Sequence, residues 1–63
     1  MSYIVVQRTG FVPYFLSSWI DETDSWNCHL TQARRFDRMT ARRIASQLNA
    51  NNRVLPVSVE RVR

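Results

Sequence analysis

The chain has no lysine, one cysteine (Cys28), one glycine (Gly10) and one histidine (His29) in 63 residues. A lone cysteine excludes an internal disulfide, the staple that a secreted domain of this size usually needs. That points to a reducing, cytoplasmic location. A lone glycine excludes both the GxGxxG and the Walker phosphate loops. Cys28 and His29 together fall short of the roughly four N/S ligands of a structural zinc site. As neighbours on an extended strand they would also point to opposite faces, which is poor geometry for a cysteine–histidine nucleophile pair. No catalytic set, metal or cofactor is therefore expected, and the chain does not read as an enzyme. The longest apolar runs, Tyr3–Val6 and Phe11–Leu16, are too short for a signal peptide core or a membrane span.

What is present is arginine. All nine basic residues are arginine, against five acidic ones, for a net charge of +4. The balance is lopsided: residues 1–30 hold Arg8 against Asp21, Glu22 and Asp24, whereas residues 31–63 hold eight arginines against Asp37 and Glu60. The guanidinium is a planar fork of donors that grips carboxylates and phosphates and stacks on aromatic rings. A GC-rich coding sequence would give the same bias without selection for that chemistry. The acidic run Asp21-Glu22-Thr23-Asp24 lacks the spacing and central glycine of a calcium loop and reads as a solvated turn.

Tyr3–Gln7 is β-branched and aromatic and predicts a strand. Thr9-Gly10 supplies a turn. Phe11–Trp19 predicts a second strand in hairpin with the first, with Pro13 at its start or on an edge because proline cannot donate to a ladder. Ile20–Ser25 reads as a polar loop. The alternation of Trp26, Cys28 and Leu30 allows a short third strand pairing back across the Asp21–Asp24 turn; Thr31-Gln32-Ala33-Arg34 could instead form a helical turn capped by Thr31.

Five arginines fall within ten positions, Arg34, Arg35, Arg38, Arg42 and Arg43. On one continuous helix at about 100° per residue, Ala41, Ile44, Ala45 and Leu48 share an apolar arc. Arg34 would then fall inside the arc and Phe36 outside it, which is wrong for both. The helix should begin after Asp37 or Thr40, either a good N-cap. The two Ala-Arg-Arg units therefore differ: the first sits in a loop or short extended piece ending in Phe36, the second inside the helix. The helix should end near Asn49–Asn52. Val54–Val62 predicts the last strand, edge or late-starting because of Pro56, with Leu55, Val57 and Val59 on one face and Ser58 and Glu60 on the other.

The order β-β-(β)-α-β predicts a single α+β domain over residues 1–63: a two-layer fold with a small antiparallel sheet, one helix across one face, and the last strand beside the first. The expected core is Ile4, Val6, Leu16, Leu30, Phe36, Ala41, Ile44, Ala45, Leu48, Val57 and Val59. One helix covers one face only, yet the first strand is apolar on both. The second strand repeats this, with Phe11, Phe15 and Trp19 on one side and Val12, Tyr14 and Leu16 on the other. Either loop 20–36 with Trp26 folds over the surplus face, or that face is an interface, which a homodimer would be one way to fill.

Two function classes follow. A protein-binding module would use Arg34, Arg35, Arg38, Arg42 and Arg43 for carboxylates and Phe15, Trp19 and Trp26 as aromatic anchors. A DNA- or RNA-binding accessory protein would use the same arginines for phosphates and Tyr14, Phe15, Trp19 and Trp26 for stacking. The stretch from Arg8 to Phe15 even resembles the RNP1 strand of RNA-recognition domains, although the chain is too short for their second helix and Pro13 sits badly in a central strand. In either class Arg38, Arg42 and Arg43 could instead be only the wet side of an amphipathic helix, with Asp37 and the acidic turn as counter-charges. A piece of a larger phage assembly is a third reading.

Trp26, Leu30, Ala33-Arg34-Arg35-Phe36-Asp37, Ala41, Ile44-Ala45 and the closing Val57-Ser58-Val59-Glu60 together resemble small uncharacterised proteins of phages and prophages. The resemblance spans most of the chain and rests on packing positions, so it assigns no site residue. It implies a stoichiometric binder of a host protein, an inhibitor of a host enzyme or of a defence system such as the anti-CRISPR proteins. Several such inhibitors are acidic mimics of DNA; this basic chain departs from them, which argues against mimicry.

Overall fold

The computed structural model describes residues 2–8, 10–21, 23–50 and 56–62. Its elements are β1 (Ser2–Gln7), β2 (Tyr14–Ile20), β3 (Thr23–Asn27), a 3-10 turn over Leu30–Gln32, α1 (Arg38–Ala50) and β4 (Ser58–Val62). The sheet is antiparallel with order β3-β2-β1-β4. This is the α+β arrangement expected, with the last strand beside the first.

Local chemistry sets most boundaries. Gly10 takes φ 127, a conformation closed to L side chains at little cost, and β2 starts only after Pro13. Phe11 and Val12, expected in the strand, belong instead to the turn. The predicted loop over Ile20–Ser25 shrinks to two residues, because Ile20 pairs with Thr23. Asp21 enters that turn with φ 50, where aspartate is better tolerated than most residues. The third strand therefore starts three residues before Trp26, and the 3-10 turn that follows is capped by His29, not Thr31. Asp37 begins α1: its carboxylate accepts the Thr40 N–H at 3.3 Å and its carbonyl the Ala41 N–H at 2.9 Å. β4 starts late, two residues after Pro56. Leu55 and the start of the predicted last strand lie outside the described residues, as do Asn51 and Asn52.

The helix buries Ala41, Ile44, Ala45 and Leu48, the arc read from the wheel, against Val5, Leu16 and Val57. Tyr3, Trp19, Trp26, Phe36 and Val59 pack around that core. Two details depart from the expected pattern. A bulge between Leu16 and Ser18 adds a residue to β2, and such an insertion reverses side-chain parity beyond it. Trp19 thereby joins Leu16 on the helix side and parts from Phe15. Phe15, expected as a binding ring, is 6% exposed and packs with Ile4 and Val6 on the opposite face. Leu30, expected in the core, is 58% exposed.

The first Ala-Arg-Arg unit has a structural role. β1 and β2 pair only at Val6↔Phe15 and Gln7↔Tyr14, then diverge. Residues 34–36 fill the split: Arg34 N–H donates to the Leu16 carbonyl at 2.9 Å, and Tyr3 and Phe36 exchange both backbone bonds at 2.8 Å. At the other end of α1, the Asn49 side chain accepts the Val57 N–H at 3.0 Å and donates to the Val57 carbonyl at 3.3 Å. That clip ties the last helical turn to the approach to β4.

Candidate functional site

Two surfaces stand out. The first is basic. Phe36 joins β1 at Tyr3 and α1 starts two residues later, so Arg34 and Arg35 lie beside the first turns of the helix, which carry Arg38, Arg42 and Arg43. All five are exposed. On the helix Arg38 and Arg42 are four residues apart and share a flank. Met39, 70% exposed, lies between Arg42 and Arg43 on the outward side. The Arg34 guanidinium stands 5.6 Å from the centroid of the Phe36 ring, a cation–π contact.

Of the counter-charges expected for these arginines, Asp37 and Asp24 hold hydrogen bonds within the fold, and Asp21 is exposed. Asp37 caps the helix, and its hydrogen bonds from Thr40 hold its carboxyl below the ordinary value. Asp24 accepts a hydrogen bond from the Trp26 indole. Glu60 takes a two-pronged contact from Arg8, at 2.6 Å from Nε and 2.9 Å from Nη2, and that hydrogen bond keeps Glu60 below its ordinary pKa while raising that of Arg8. The sheet topology carries the acidic β2–β3 turn to the same end as the arginines, because Ile20 and Tyr3 both lie away from the Val6–Phe15 end. Even so, Arg35, Arg38, Arg42 and Arg43 have no ion pair or side-chain hydrogen bond among the described residues.

The second surface is the sheet face away from the helix. Ile4, Phe15, Leu30 and Val62 line an open groove of about 340 Å³ together with the paired Arg8 and Glu60 and with Arg61. The turn at Leu30–Ala33 covers part of this face, since Ala33 packs on the Ile4–Val6–Phe15 cluster; Trp26 packs on the helix side instead. The β1–β2 turn carries Phe11, which is 107% exposed, and Val12 at 48%, and Tyr14 at the start of β2 is 47% exposed.

All five arginines are exposed along the stretch that joins the sheet to the helix and over the first turns of the helix, with Arg34 and Arg35, neighbours on extended backbone, on opposite sides. Of the rings expected to act with them, Phe15 is buried, Trp19 and Trp26 are half-buried against the helix core, and Tyr14 is exposed at the other end of β2. Nothing in the sequence pointed to the Arg8–Glu60 pair or to Arg61 at the groove; Leu30 was expected in the core, and Phe11 on the surplus apolar face of the second strand, where it is instead an exposed turn residue. Cys28 and His29 are both exposed. Among the described residues no group of three histidine, cysteine or acidic side chains is placed to hold a metal, and no helix is long and apolar enough to cross a membrane. In comparisons with known proteins, the chain matches no family model, no curated protein and no solved structure.

Proposed function

We propose that this chain is a non-catalytic, phage-type accessory protein that binds a host protein in the cytoplasm and inhibits or redirects it. Anti-defence action, of which anti-CRISPR inhibition is one form, and takeover of a host enzyme are the two outcomes in view. The observation that supports this reading is the basic face. Arg34, Arg35, Arg38, Arg42 and Arg43 are exposed along one stretch of the chain, while Asp24, Asp37 and Glu60 are committed to partners inside the fold. Forked donors without internal carboxylates suit a partner's acidic patch, where two-pronged contacts give both energy and orientation. Met39, exposed among the arginines, supplies an adaptable apolar centre to such a contact.

The same guanidiniums also suit phosphates, so a nucleic-acid reading has the same footprint. Of the rings that would stack bases, Phe15, Trp19 and Trp26 are turned inward, and Tyr14, which is exposed, lies at the end of β2 away from the arginines; contacts to the nucleic-acid backbone and a strong dependence on salt would then dominate. One experiment separates the two. Wild type and an Arg34→Ala/Arg35→Ala variant are titrated by anisotropy against short single- and double-stranded DNA and RNA at two salt concentrations, and both are used as baits in host lysate. A host protein held by wild type and lost by the folded variant, with no binding to nucleic acid, supports the proposal. Nucleic-acid binding that collapses with salt moves the function to the second reading. Equal recovery of every protein by both baits refutes the basic face as the contact.

A further inference from the structure

β4 is an edge strand, and the hydrogen-bond phase of β1 fixes what its outer side offers. Tyr3 exchanges both backbone bonds with Phe36, on the side of β1 that faces β2. Successive residues of a strand turn their N–H and C=O to opposite edges. Ser2, Ile4 and Val6 therefore turn theirs toward β4, where they stand opposite Val62, Glu60 and Ser58. That leaves Val59 and Arg61 with N–H and C=O directed away from the sheet. No other backbone group bonds them among the described residues.

The side chains beside this edge are sorted by face. Val62 packs with Ile4, Val6 and Phe15 on the open side of the sheet, and Val59 packs on the helix core. Alternation puts Glu60 with Val62 and Arg61 with Val59. Glu60 is held by Arg8. Arg61 is exposed and has no ion pair among the described residues. The groove of the open side runs up to this edge, since Glu60, Arg61 and Val62 all border it.

We propose that the outer edge of β4 takes up an extended segment of a partner protein as an added antiparallel strand, with acidic side chains opposite Arg61 and apolar ones beside Val62 at the groove. The outward backbone groups of Val59 and Arg61 supply the hydrogen bonds, and the two faces select the alternating pattern. Antiparallel pairing is the more stable kind. Charge decides the occupant. An unpaired guanidinium favours a carboxylate directly across from it and disfavours a cation. A second copy would bring a further +4 and another unpaired Arg61, so the added strand is foreign. The inference extends the protein-partner reading to a second surface and rests on that reading for the source of the segment; the contact itself uses neither Arg34 nor Arg35.

The probe is a capped peptide of about six residues, an ordinary strand length, in which glutamate and valine alternate. A matched peptide carries lysine in place of glutamate. Each is titrated into the isotope-labelled full chain and followed by amide shifts and hydrogen exchange. Before peptide is added, the Val59 and Arg61 amides should exchange faster than those of Ser58, Glu60 and Val62, which face β1. The glutamate peptide should shift and protect Val59 and Arg61, and the lysine peptide should bind at least about 5-fold more weakly. Arg61→Glu, at an exposed position, should keep the wild-type circular dichroism and move that ratio about 10-fold toward the lysine peptide. N-methylation of the glutamates, whose N–H groups meet the edge carbonyls, should weaken binding about 10-fold or more. Equal binding of the two peptides overturns the proposal, as do shifts confined to the helix start at Arg38 and Arg42. Val59 and Arg61 left unprotected at peptide concentrations above about 1 mM, the scale of weak binding, overturn it too, and make Arg61 a guard of the edge against pairing. The Arg34→Ala/Arg35→Ala variant should bind the glutamate peptide as wild type does, so failure of the edge and failure of the basic-face reading are read separately.

Discussion

Phe11 and Phe15 are four residues apart in one hairpin, and the structure gives them opposite energetic roles. Phe15 is 6% exposed and closes the Ile4–Val6 cluster on the face away from the helix. Truncation to alanine there removes most of a ring and leaves a void that a two-strand contact cannot collapse into, a loss of about 3–5 kcal/mol. A chain of 63 residues has a total stability of about 3–9 kcal/mol, at roughly 0.05–0.15 kcal/mol per residue. Phe15→Ala should therefore cost about a third of the stability or more. With a urea slope of about 1 kcal/mol per molar for a domain this small, the midpoint falls by about 3 M or the native baseline disappears. Phe11→Ala, at a site already fully solvated, should shift stability by no more than about 0.5 kcal/mol. The assay is urea denaturation followed by circular dichroism, at dilution that keeps copies apart. Equal, small effects at the two positions would refute the reasoning, because they would mean that Phe15 is a surface ring and that β2 is not two-sided at this point.

Two further outcomes follow from the clips around the core. Asn49→Ala removes both side-chain bonds to Val57, whose own side chain is 8% exposed; leaving those backbone groups without partners should cost about 1–3 kcal/mol, measured in the same urea titration, and Asn49→Asp, which keeps the acceptor, should recover part of it. Glu60 has a folded pKa lowered mainly by its hydrogen bond from Arg8, so its contribution is present above its unfolded value of about 4.3 and lost as pH falls through the folded one. Wild type should melt slightly above Glu60→Gln at neutral pH, by a few degrees at most for an exposed pair, and the two curves should converge in acid; a gap that widens on acidification would contradict the assigned sign.

How far the sequence revealed this fold depended on the range of the interactions involved. The helix was legible because its signals are local. Asp37 is a good cap, and Ala41, Ile44, Ala45 and Leu48 recur at helical spacing, so start and buried arc follow from about a dozen residues. The order with β4 beside β1 was also legible, since one helix between antiparallel strands leaves few short connections. The β2 faces were not. One added residue near Ser17 reverses parity, and the only local hint is a pair of serines, weak strand formers, between Leu16 and Trp19. The tight β2–β3 turn was missed for a related reason: Asp21-Glu22 has no glycine, and only the pairing of Ile20 with Thr23 reveals the positive φ that Asp21 adopts.

The basic face shows where such reading succeeds and fails within one site. The helical wheel alone separates the two Ala-Arg-Arg units. It gives no sign that the backbone of residues 34–36 fills the gap between β1 and β2, with Arg34 bonding Leu16 on one side and Phe36 bonding Tyr3 on the other. Backbone and side chain thus divide the work at residues 34–36. The main chain holds the sheet together, which ties the position of the arginines to the core, and the guanidiniums are left outside it. The arrangement does not favour stability at the helix start. Arg38 opens α1, with no acidic residue in the first turn, although the helix macrodipole favours an anion there and disfavours a cation. Asp37 offsets this as the cap, through the carboxylate that accepts the Thr40 N–H. Arg38 therefore stands where the helix itself disfavours a cation, and that unfavourable placement supports the proposal of an anionic partner.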